Sequence, residues 1–368
     1  MDPQTLVVTS SAHSYEVHLG RGLLVRAAEL LTRLPGLRGK RCAVVTDERV
    51  GPLHAGRAVA ALRAGGHDPA LVIVPAGEKS KSLAEAGRVA EALVAAGLDR
   101  GGFIVALGGG VVGDLVGFVA SIYQRGVPVV QIPTTIISQV DSAVGGKTGV
   151  NVPAGKNLLG TFHPPAVVLV DLDTLDTLPE REFNEGFAEV IKHAVIRDPA
   201  LFDALSVFER GRSRDALPGI IRRNLEIKAE IVAADEFERA GVRALLNFGH
   251  TVGHAIEQAA GYGRFLHGEA IAVGMVAAGR LSTQFAGLDL AEFTRLVGLL
   301  RRFGLPTRLS ADLSLEPIME SLARDKKFEA GNVRFVLVPR IGEAFLSAPG
   351  QISTEAIRRA VGLLYEEP

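Results

Sequence analysis

The sequence lacks the features that mark secreted, membrane and nucleic-acid-binding proteins. Cys42 is its only cysteine, so no disulfide can form within the chain. Its formal net charge is -1, whereas a dedicated nucleic-acid-binding protein carries a strong positive excess. Its apolar runs, such as residues 103–107, are too short to cross a bilayer, and no basic segment precedes an apolar one at the start of the chain. We therefore expect a cytoplasmic protein with no membrane or nucleic-acid partner.

The first half of the chain alternates short apolar runs with helical patterns. The chain has 368 residues, of which 47% are hydrophobic and 22% are charged, which is enough apolar material for two domains. Buried strands are predicted at 42–46, 70–74, 103–107, 129–132 and 166–170, an edge strand at 15–19, and helices at 53–64 and 82–96. This alternation predicts a mostly parallel sheet with helices on both faces. Cys42 stands in one of the apolar runs, which favours a buried core thiol over a nucleophile.

From about residue 180 the pattern becomes mainly helical. Helices are predicted at 185–196, 217–233, 251–260, 269–285, 291–303 and 315–324, with one strand at 333–338. We place a domain boundary between Leu178 and Pro179. The predicted fold class is therefore α/β, with a Rossmann-like parallel-sheet domain at 1–178 followed by a mostly α-helical domain at 179–368.

A glycine-rich segment joins the strand at 103–107 to a helix predicted at 111–120. It reads Gly108-Gly109-Gly110-Val111-Val112-Gly113-Asp114. Glycines at such a turn let backbone N–H groups approach a pyrophosphate, and the helix N-terminus favours negative charge. The same turn would also serve close packing, so both interpretations stay open, with dinucleotide binding favoured. Asp47 follows the strand at 42–46 and is the candidate partner of a ribose hydroxyl.

A second polar cluster lies between residues 131 and 157. It contains Thr134-Thr135, Asp141, Gly145-Gly146-Lys147-Thr148 and Gly155-Lys156-Asn157. The Gly-Gly-Lys-Thr segment resembles the end of a P-loop, but the first glycine of that motif is missing, so we do not expect a nucleoside triphosphate site. Lys147 and Lys156 instead suit an anionic substrate or cofactor. Two solvated lysines remain the alternative.

Side chains typical of a metal site occur in the second half. They are Glu189, Lys192 and His193 on one predicted helix, His250 and His254 one turn apart on another, and His267 at the start of a third. Two histidines and a carboxylate, with one coordination position left for substrate, are typical of catalytic zinc. Buried histidines that only make hydrogen bonds are the alternative interpretation.

Several cations accompany this cluster. They are Lys192, Lys228, Arg243, Lys326 and Lys327. Arginine and lysine pair with carboxylate and phosphate groups, so we expect a small substrate that carries two negative groups. Solubility at the protein surface is the alternative explanation for such side chains.

Together these segments resemble the sugar phosphate cyclases, and most closely the 3-dehydroquinate synthase family. The resemblance covers nearly the whole chain and includes residues 77–81, 108–114, 124–126, 131–135, 141–148, 155–160, 178–182, 188–192, 245–257, 267–269, 325–327 and 334–345. It implies a lyase reaction of the shikimate pathway, in which 3-deoxy-D-arabino-heptulosonate 7-phosphate becomes 3-dehydroquinate and phosphate. The steps implied are transient oxidation by NAD, phosphate elimination, re-reduction and aldol cyclisation.

The resemblance also implies which residues form the site. The metal ligands would be Glu189, His250 and His267, normally to zinc, with cobalt or another divalent metal as alternatives. NAD would contact Asp47, Glu78, Lys81, Gly110, Val111, Val112, Gly113, Asp114, Thr134, Thr135, Lys147, Lys156, Thr174 and Thr177. The substrate would contact Asp141, Lys147, Asn157, Lys192, Lys228, Arg243, Asn247, His254, His267 and Lys326. Arg125 would reach the substrate phosphate across the interface of a homodimer.

Three other functions remain open. A sister sugar phosphate cyclase would act on sedoheptulose 7-phosphate, which has no carboxylate for Lys228, Arg243 and Asn247 to bind. A metal-dependent polyol dehydrogenase would release NADH, whereas a cyclase would show no net redox change. A catalytically inactive NAD-binding protein would have lost some of these ligands or cations, yet all of them are present.

Overall fold

The computed structural model describes residues 3–9, 13–34, 36–37, 41–153, 155–209, 214–261, 263–328 and 333–366, with the backbone alone at 214 and 325–328. The chain divides into two units. The first contains residues 1–179 and 228–236, and the second contains residues 180–227 and 237–368. Residues 228–236 therefore belong with the first unit, although the domain expected at 179–368 includes them.

The first unit is built on a seven-stranded sheet. Its elements are β1 (Gln4–Thr9), β2 (Ser14–Gly20), α1 (Ala27–Leu31), β3 (Arg41–Asp47), α2 (Gly56–Ala64), β4 (Asp68–Val74), α3 (Leu83–Ala95), β5 (Phe103–Gly108), α4 (Gly110–Ile122), β6 (Val129–Pro133), β7 (Lys147–Val152), β8 (Gly155–Phe162) and β9 (Val167–Asp171). The strand order is β1-β2-β9-β6-β5-β3-β4. β1 and β2 pair antiparallel, and the other neighbours pair parallel. The predicted parallel-sheet α/β architecture is confirmed.

Helices cover both faces of this sheet. β5 reads Phe-Ile-Val-Ala-Leu-Gly and is buried along its whole length. Its alternate residues enter different cores: Ile104 and Ala106 pack with α3 and α4, whereas Val105 and Leu107 pack with α1 and α2. The uninterrupted apolar run of β5 therefore follows from burial on both sides.

The edge of the sheet differs from the prediction. Residues 15–19 do lie in a strand, β2, but β2 is flanked by β1 and β9, so the edge strand is β1. In β1 one residue of six is buried, and its pattern therefore gives little sign of a strand. The helix expected at 53–64 also differs, since a π-helical turn at Gly51–Ala55 leads into α2.

β7 and β8 form an antiparallel hairpin separate from the large sheet. The sequence predicts loops here, because glycine and polar residues dominate both segments. The hairpin is held by pairing between its own strands, from Lys147 opposite Phe162 to Val152 opposite Gly155. It carries several of the predicted site residues on a defined strand.

The second unit is mainly helical, as predicted. Its elements are α5 (Glu180–Arg197), α6 (Pro199–Ser206), the start of α7 (Leu217–Ala234), α8 (His250–Ala260), α9 (His267–Phe285), α10 (Leu290–Arg302), α11 (Leu315–Phe328), β10 (Val336–Arg340), β11 (Glu343–Leu346) and α12 (Thr354–Gly362). Residues 270–279 of α9 are all buried, so α9 is its central helix. The strand expected at 333–338 is β10, and it pairs with β11, which was not predicted. Among the described residues, no helix combines the length and apolar character needed to cross a bilayer.

Candidate active site

The carboxyl ends of β3 and β5 form a crevice in the first unit. The chain leaves β3 toward α2 on one face of the sheet and leaves β5 into α4 on the opposite face. Open α/β sheets bind ligands at such a switch point, because the outgoing connections diverge there. Asp47 ends β3 at this edge, and one of its carboxylate oxygens accepts the N–H groups of Arg49 and Val50, each at 2.8 Å. These bonds hold the Asp47 side chain at the strand end.

The turn after β5 brings the backbone close to this crevice. A Cβ at Gly108 would lie 2.7 Å from the Cβ of Val112, so a larger residue would displace the first turn of α4. Val112 is 1% exposed and packs in the core, so it can offer a ligand only its backbone. The first N–H groups of a helix have no acceptor within it, and the N-terminus of α4 at Gly110 is therefore suited to an anion.

Three buried hydroxyl oxygens near this turn have no hydrogen-bond partner among the described residues. They belong to Thr46, Thr134 and Ser142. The N–H of Thr134 donates to the carbonyl of Gly108 at 3.0 Å, and a Cβ at Gly110 would lie 3.1 Å from the Ser142 oxygen. Buried hydroxyls are normally satisfied, so this part of the crevice fits a polar ligand such as a nucleotide.

Six predicted contact residues of the first unit form three ion pairs. These are Lys81 with Asp114, Lys228 with Asp141, and Lys156 with Glu78 at 3.9 Å. Burial raises the pKa of Asp114, and the ammonium of Lys81 opposes that rise. The structure thus brings together residues that are far apart in the sequence.

Three of the four predicted threonine contacts make side-chain hydrogen bonds in turns. Their side-chain bonds are Thr135 to Ser138 at 2.9 Å, Thr174 to the carbonyl of Asp171 at 2.7 Å, and Thr177 to His54 at 2.9 Å. All three hydroxyls therefore help to hold the turns that follow β6 and β9.

Three predicted substrate contacts of the first unit are exposed. They are Arg125, Lys147 and Asn157. Gln124 and Arg125 both adopt left-handed backbone, with φ of 51° and 69°, and Asn157 does so with φ of 56°. Such non-glycine residues cost about 1–3 kcal/mol each and cluster at functional sites. The turn at 124–126 therefore holds Arg125 at the surface of this chain in a strained position.

In the second unit, glycines bring α8 and α9 into close contact. A Cβ at Gly274 of α9 would overlap the carbonyl oxygen of Gly249 and lie 2.7 Å from the nitrogen of Gly253. Gly249, just before α8, has φ of 81°, in the left-handed region that favours glycine. Larger side chains at these positions would separate the helices. The glycines thus allow the ring centroids of His250 and His267 to lie 5.5 Å apart.

A buried carboxylate stands beside these two histidines. Glu189, on α5, is 1% exposed, and its Oε1 has no hydrogen-bond partner among the described residues. That oxygen lies 3.5 Å from Nε2 of His250 and 3.9 Å from Nε2 of His267. The Nδ1 atoms face acceptors, namely the carbonyl of Phe248 at 3.3 Å and the carboxylate of Glu257 at 3.4 Å. In the neutral tautomer that these acceptors favour, Nδ1 carries the proton and the Nε2 lone pair of each ring is available to a divalent metal.

The environment changes the pKa of each ring. Burial, followed by the charge of Lys192, lowers the pKa of His250 well below its ordinary value. Burial also lowers the pKa of His267, but the hydrogen bond and charge of Glu257, with other carboxylates, raise it above its ordinary value. Metal ligands must be neutral imidazoles. Burial favours that neutral form in His250, whereas the carboxylates around His267 favour its charged form.

His254 completes a group of three histidines. Its ring centroid lies 5.2 Å from that of His250 and 5.8 Å from that of His267, and one ring nitrogen of each lies within 4.8 Å of the others. Lys192 pairs with Oε2 of Glu189, which leaves Oε1 facing the imidazoles. Among the described residues, the buried Glu189 and the exposed His254 are each placed to join His250 and His267 as a third ligand.

The remaining predicted cations and amides of this unit differ in exposure. Arg243 and Asn247 lie on the 3₁₀ turn Arg243–Asn247, just before α8. Arg243 is 3% exposed, whereas Asn247 is exposed, with its Nδ2 at 3.4 Å from Oε1 of Glu238. The side chain of Lys326 lies outside the described part of the chain, as does that of Lys327.

One residue that the sequence placed in the metal-like cluster has a different environment in the structure, and two residues near the site were not selected from the sequence. His193 is fully buried and its Nδ1 lies 3.0 Å from Oδ1 of Asn224, so it is a hydrogen-bonded core histidine. Glu257 was missed, although it stands seven residues after His250 and three after His254 on one helical face. Asn151 was also missed, and its spacing gives no signal because its partners come from other segments.

The fold and these sites define a class of protein, in which a parallel-sheet unit with a glycine turn at its switch point is followed by a helical unit with a histidine-carboxylate cluster. The chain belongs to the 3-dehydroquinate synthase family. The family model described as 3-dehydroquinate synthase N-terminal matches residues 71–185, and that described as 3-dehydroquinate synthase C-terminal matches residues 186–328.

Individual relatives agree with this assignment. The 3-dehydroquinate synthase of Methylococcus capsulatus is 49% identical over 346 residues, which are 93% of this chain and 95% of the relative. That of Acidithiobacillus ferrooxidans is 45% identical over 366 residues, 99% of each protein. A solved structure of a 2-epi-5-epi-valiolone synthase from Streptomyces hygroscopicus subsp. jinggangensis 5008, with NAD+ and Zn2+ bound, has a TM-score of 0.86 at 31% identity and covers 98% of this chain and 99% of that chain.

Proposed function

We propose that the chain converts 3-deoxy-D-arabino-heptulosonate 7-phosphate to 3-dehydroquinate and phosphate, as a cytoplasmic lyase of the shikimate pathway that uses NAD and a divalent metal. The observation that carries the proposal is the buried Oε1 of Glu189 facing two imidazole nitrogens, in a chain 45% and 49% identical to 3-dehydroquinate synthases. The similar valiolone synthase structure holds NAD+ and Zn2+, which supports the same pair of cofactors for this chain.

The metal, zinc or cobalt, would be held by Glu189, His250 and His267. Their facing atoms lie 3.5 and 3.9 Å apart, and ligands of a tetrahedral zinc are separated by roughly 3.4 Å. Phe248 and Glu257 engage the Nδ1 atoms, which leaves Nε2 as the ligand atom of each ring. Three protein ligands leave one position for the substrate.

NAD would lie at the carboxyl edge of the parallel sheet. Its pyrophosphate would face the N-terminus of α4 at Gly110, and Asp47 would accept a ribose hydroxyl. The unpartnered hydroxyls of Thr46, Thr134 and Ser142 would supply further polar contacts. The other contacts proposed for NAD are Glu78, Lys81, Val111, Val112, Gly113, Asp114, Thr135, Lys147, Lys156, Thr174 and Thr177.

When bound, NAD accepts and later returns a hydride, and the divalent metal polarises the oxygen at the carbon that changes oxidation state. The side chains of the chain bind and orient the substrate. Arg243 offers a buried guanidinium that can hold a carboxylate through two parallel hydrogen bonds. The ammonium of Lys192 holds Oε2 of Glu189, and exposed His254 can carry a proton at its imidazole. The further substrate contacts proposed are Asp141, Lys147, Asn157, Lys228, Asn247 and Lys326.

Arg125 would bind the substrate phosphate held by a partner subunit of a homodimer. It is exposed on this chain, and its backbone is held in the left-handed region next to a second residue in the same conformation. Strain of this kind persists only where the surrounding structure enforces it, and it clusters at functional sites. An outward-aimed guanidinium suits a site that a second chain completes.

Phosphate release from two sugar phosphates tests the proposed substrate. With NAD+ and Zn2+ present, release from 3-deoxy-D-arabino-heptulosonate 7-phosphate should be at least about 100-fold faster than from sedoheptulose 7-phosphate, because the second sugar has no carboxylate to bind to Arg243. Arg243→Ala should reduce the ratio of the two rates, because it slows release only from 3-deoxy-D-arabino-heptulosonate 7-phosphate. Faster release from sedoheptulose 7-phosphate by the parent protein would contradict the proposed substrate and show that the chain has the activity of a sister cyclase.

A further inference from the structure

An asparagine outside the predicted contacts joins three segments of the first unit. Asn151 lies in β7 and is half-buried. Its Nδ2 donates to Oε1 of Glu78 at 2.7 Å, and its Oδ1 accepts the N–H of Asn157 at 3.0 Å. Its own N–H donates to the carbonyl of Lys81 at 2.8 Å. The 3₁₀ turn Glu78–Ser80, the residue that follows it, and the hairpin therefore meet at Asn151.

The orientation of the Asn151 amide follows from its partners. An ionised carboxylate only accepts hydrogen bonds, and a backbone N–H only donates them. The amide nitrogen must therefore face Glu78 and the amide oxygen must face Asn157. Both bonds have a strong reason to form, since the first is charge-assisted and the second supports a residue with φ of 56°.

We propose that Asn151 is the positioning residue that holds Glu78 and Asn157 in one arrangement. The inference rests on the proposed function, in which Glu78 contacts NAD and Asn157 contacts the sugar phosphate. Asn151 acts through these two neighbours, so the loss of its amide weakens the binding of both molecules. The same oxygen of Glu78 lies 3.9 Å from the ammonium of Lys156, so a displaced Glu78 also disturbs a second proposed NAD contact.

Five variants, one of which is Glu78→Gln alone, separate the two bonds. Asn151→Ala removes both of them. Asn151→Asp keeps an acceptor for the N–H of Asn157 but turns a second carboxylate toward Glu78. Combining Asn151→Asp with Glu78→Gln exchanges donor and acceptor, which restores the bond. Asn184→Ala truncates a half-buried asparagine of the second unit that is outside the proposed contacts, and it serves as the control.

The experiment is a calorimetric titration of NAD+ into each full-length protein, because the chain has no tryptophan to report binding by its fluorescence. It is combined with kcat and KM for the sugar phosphate. We expect Asn151→Ala to weaken NAD+ binding about 10-fold or more and to raise KM. Asn151→Asp should weaken NAD+ binding while KM stays within about twofold of the parent value. If the effects of Asn151→Asp and Glu78→Gln on the Kd for NAD+ were independent, they would multiply in the double variant. We expect the double variant to bind NAD+ at least about threefold more tightly than that product predicts.

Parent-like Kd and KM values in Asn151→Ala would overturn the inference, as would purely multiplicative effects in the double variant. If Asn151→Ala does not fold, the nearly isosteric Asn151→Asp and the double variant decide the matter. A parent protein that binds NAD+ but releases no phosphate would refute the proposed function instead. In that case the NAD+ titrations would still test whether the bond between Asn151 and Glu78 contributes to NAD+ affinity.

Discussion

Cys42 lies fully buried in β3, where burial, with a smaller contribution from the charge of Asp68, raises the pKa of its thiol to about 12. The thiol therefore stays protonated and weakly nucleophilic at neutral pH, which confirms the prediction of a core residue. His193 is equally buried and bonds to Asn224. Two residue types that often carry chemistry are thus buried here, the thiol among apolar side chains and the imidazole with one nitrogen against an amide oxygen.

Glu257 should control metal affinity through His267. Its carboxylate faces Nδ1 of His267 at 3.4 Å, which leaves Nε2 as the atom that faces Glu189. Loss of such a partner typically costs about 10–100-fold in metal affinity. We therefore expect Glu257→Ala to weaken Zn2+ binding by this factor, measured by competition with a chromophoric chelator after the bound metal is removed.

Glu257→Gln is the matched control for that measurement. Its side-chain carbonyl can still accept the Nδ1–H of His267, so most of the affinity should remain. The Co2+ absorption spectrum of the control should match that of the parent, and that of Glu257→Ala should change. Equal Zn2+ affinity in parent and Glu257→Ala would show that Glu257 does not orient the ligand.

At the scale of residues, the sequence could indicate side chains whose type and spacing are typical of a metal site or an anion site. Type and spacing indicated the larger group of Glu189, His193, His250, His254 and His267, and the family resemblance narrowed it to three ligands. In the structure Oε1 of Glu189 faces the Nε2 atoms of the other two, His250 and His267. Asn151 and the hydroxyl of Ser142 could not be selected, because their importance depends on neighbours from other segments. Val112 was predicted to contact NAD, and its side chain is buried in the core. That burial likewise depends on the packing of α4 against β5.

At the scale of elements, the spacing of α8 and α9 decides whether the histidines can act together. Gly274→Ala would place a Cβ against the backbone of Gly249 and Gly253, so the two helices must move apart. We expect this variant to lose about 1–3 kcal/mol of unfolding free energy in denaturant titrations. It should also bind Zn2+ more weakly, because the move separates His250 from His267.

Gly298→Ala provides the control for the same substitution. Gly298 lies in α10, and a Cβ there would meet nothing within 4 Å. Alanine should therefore leave stability unchanged or raise it by up to about 1 kcal/mol, because alanine is the better helix former. Parent-like stability and Zn2+ affinity in Gly274→Ala would show that the close approach of α8 and α9 is unimportant.

Most elements with strong periodicity were predicted, since burial on a helical stripe or on both strand faces leaves a clear pattern. β5 and α9 are examples, because both are buried over long stretches. The exposed edge strand β1 and the hairpin of β7 and β8 escaped prediction. Their stability comes from pairing with another strand, and their own residue patterns are weak.

At the scale of the whole molecule, the sequence predicts a parallel-sheet part and a helical part but not the order of the strands. β5 pairs with β3 and β6, although β4 lies between β3 and β5 in the sequence. This order creates the switch point at which Asp47 and the glycine turn meet. It depends on contacts between distant segments, which hydrophobic periodicity does not encode.

The fold, the site and the relatives together indicate that the chain expels phosphate with the help of a metal and of NAD that is returned unchanged. The most direct measurement follows phosphate release and NADH absorbance together, with 3-deoxy-D-arabino-heptulosonate 7-phosphate as substrate. We expect release to require NAD+, to stop after the metal is chelated, to resume with Zn2+, and never to accumulate NADH. Phosphate release that continued without NAD+ or metal, or NADH that rose with each turnover, would contradict this expectation.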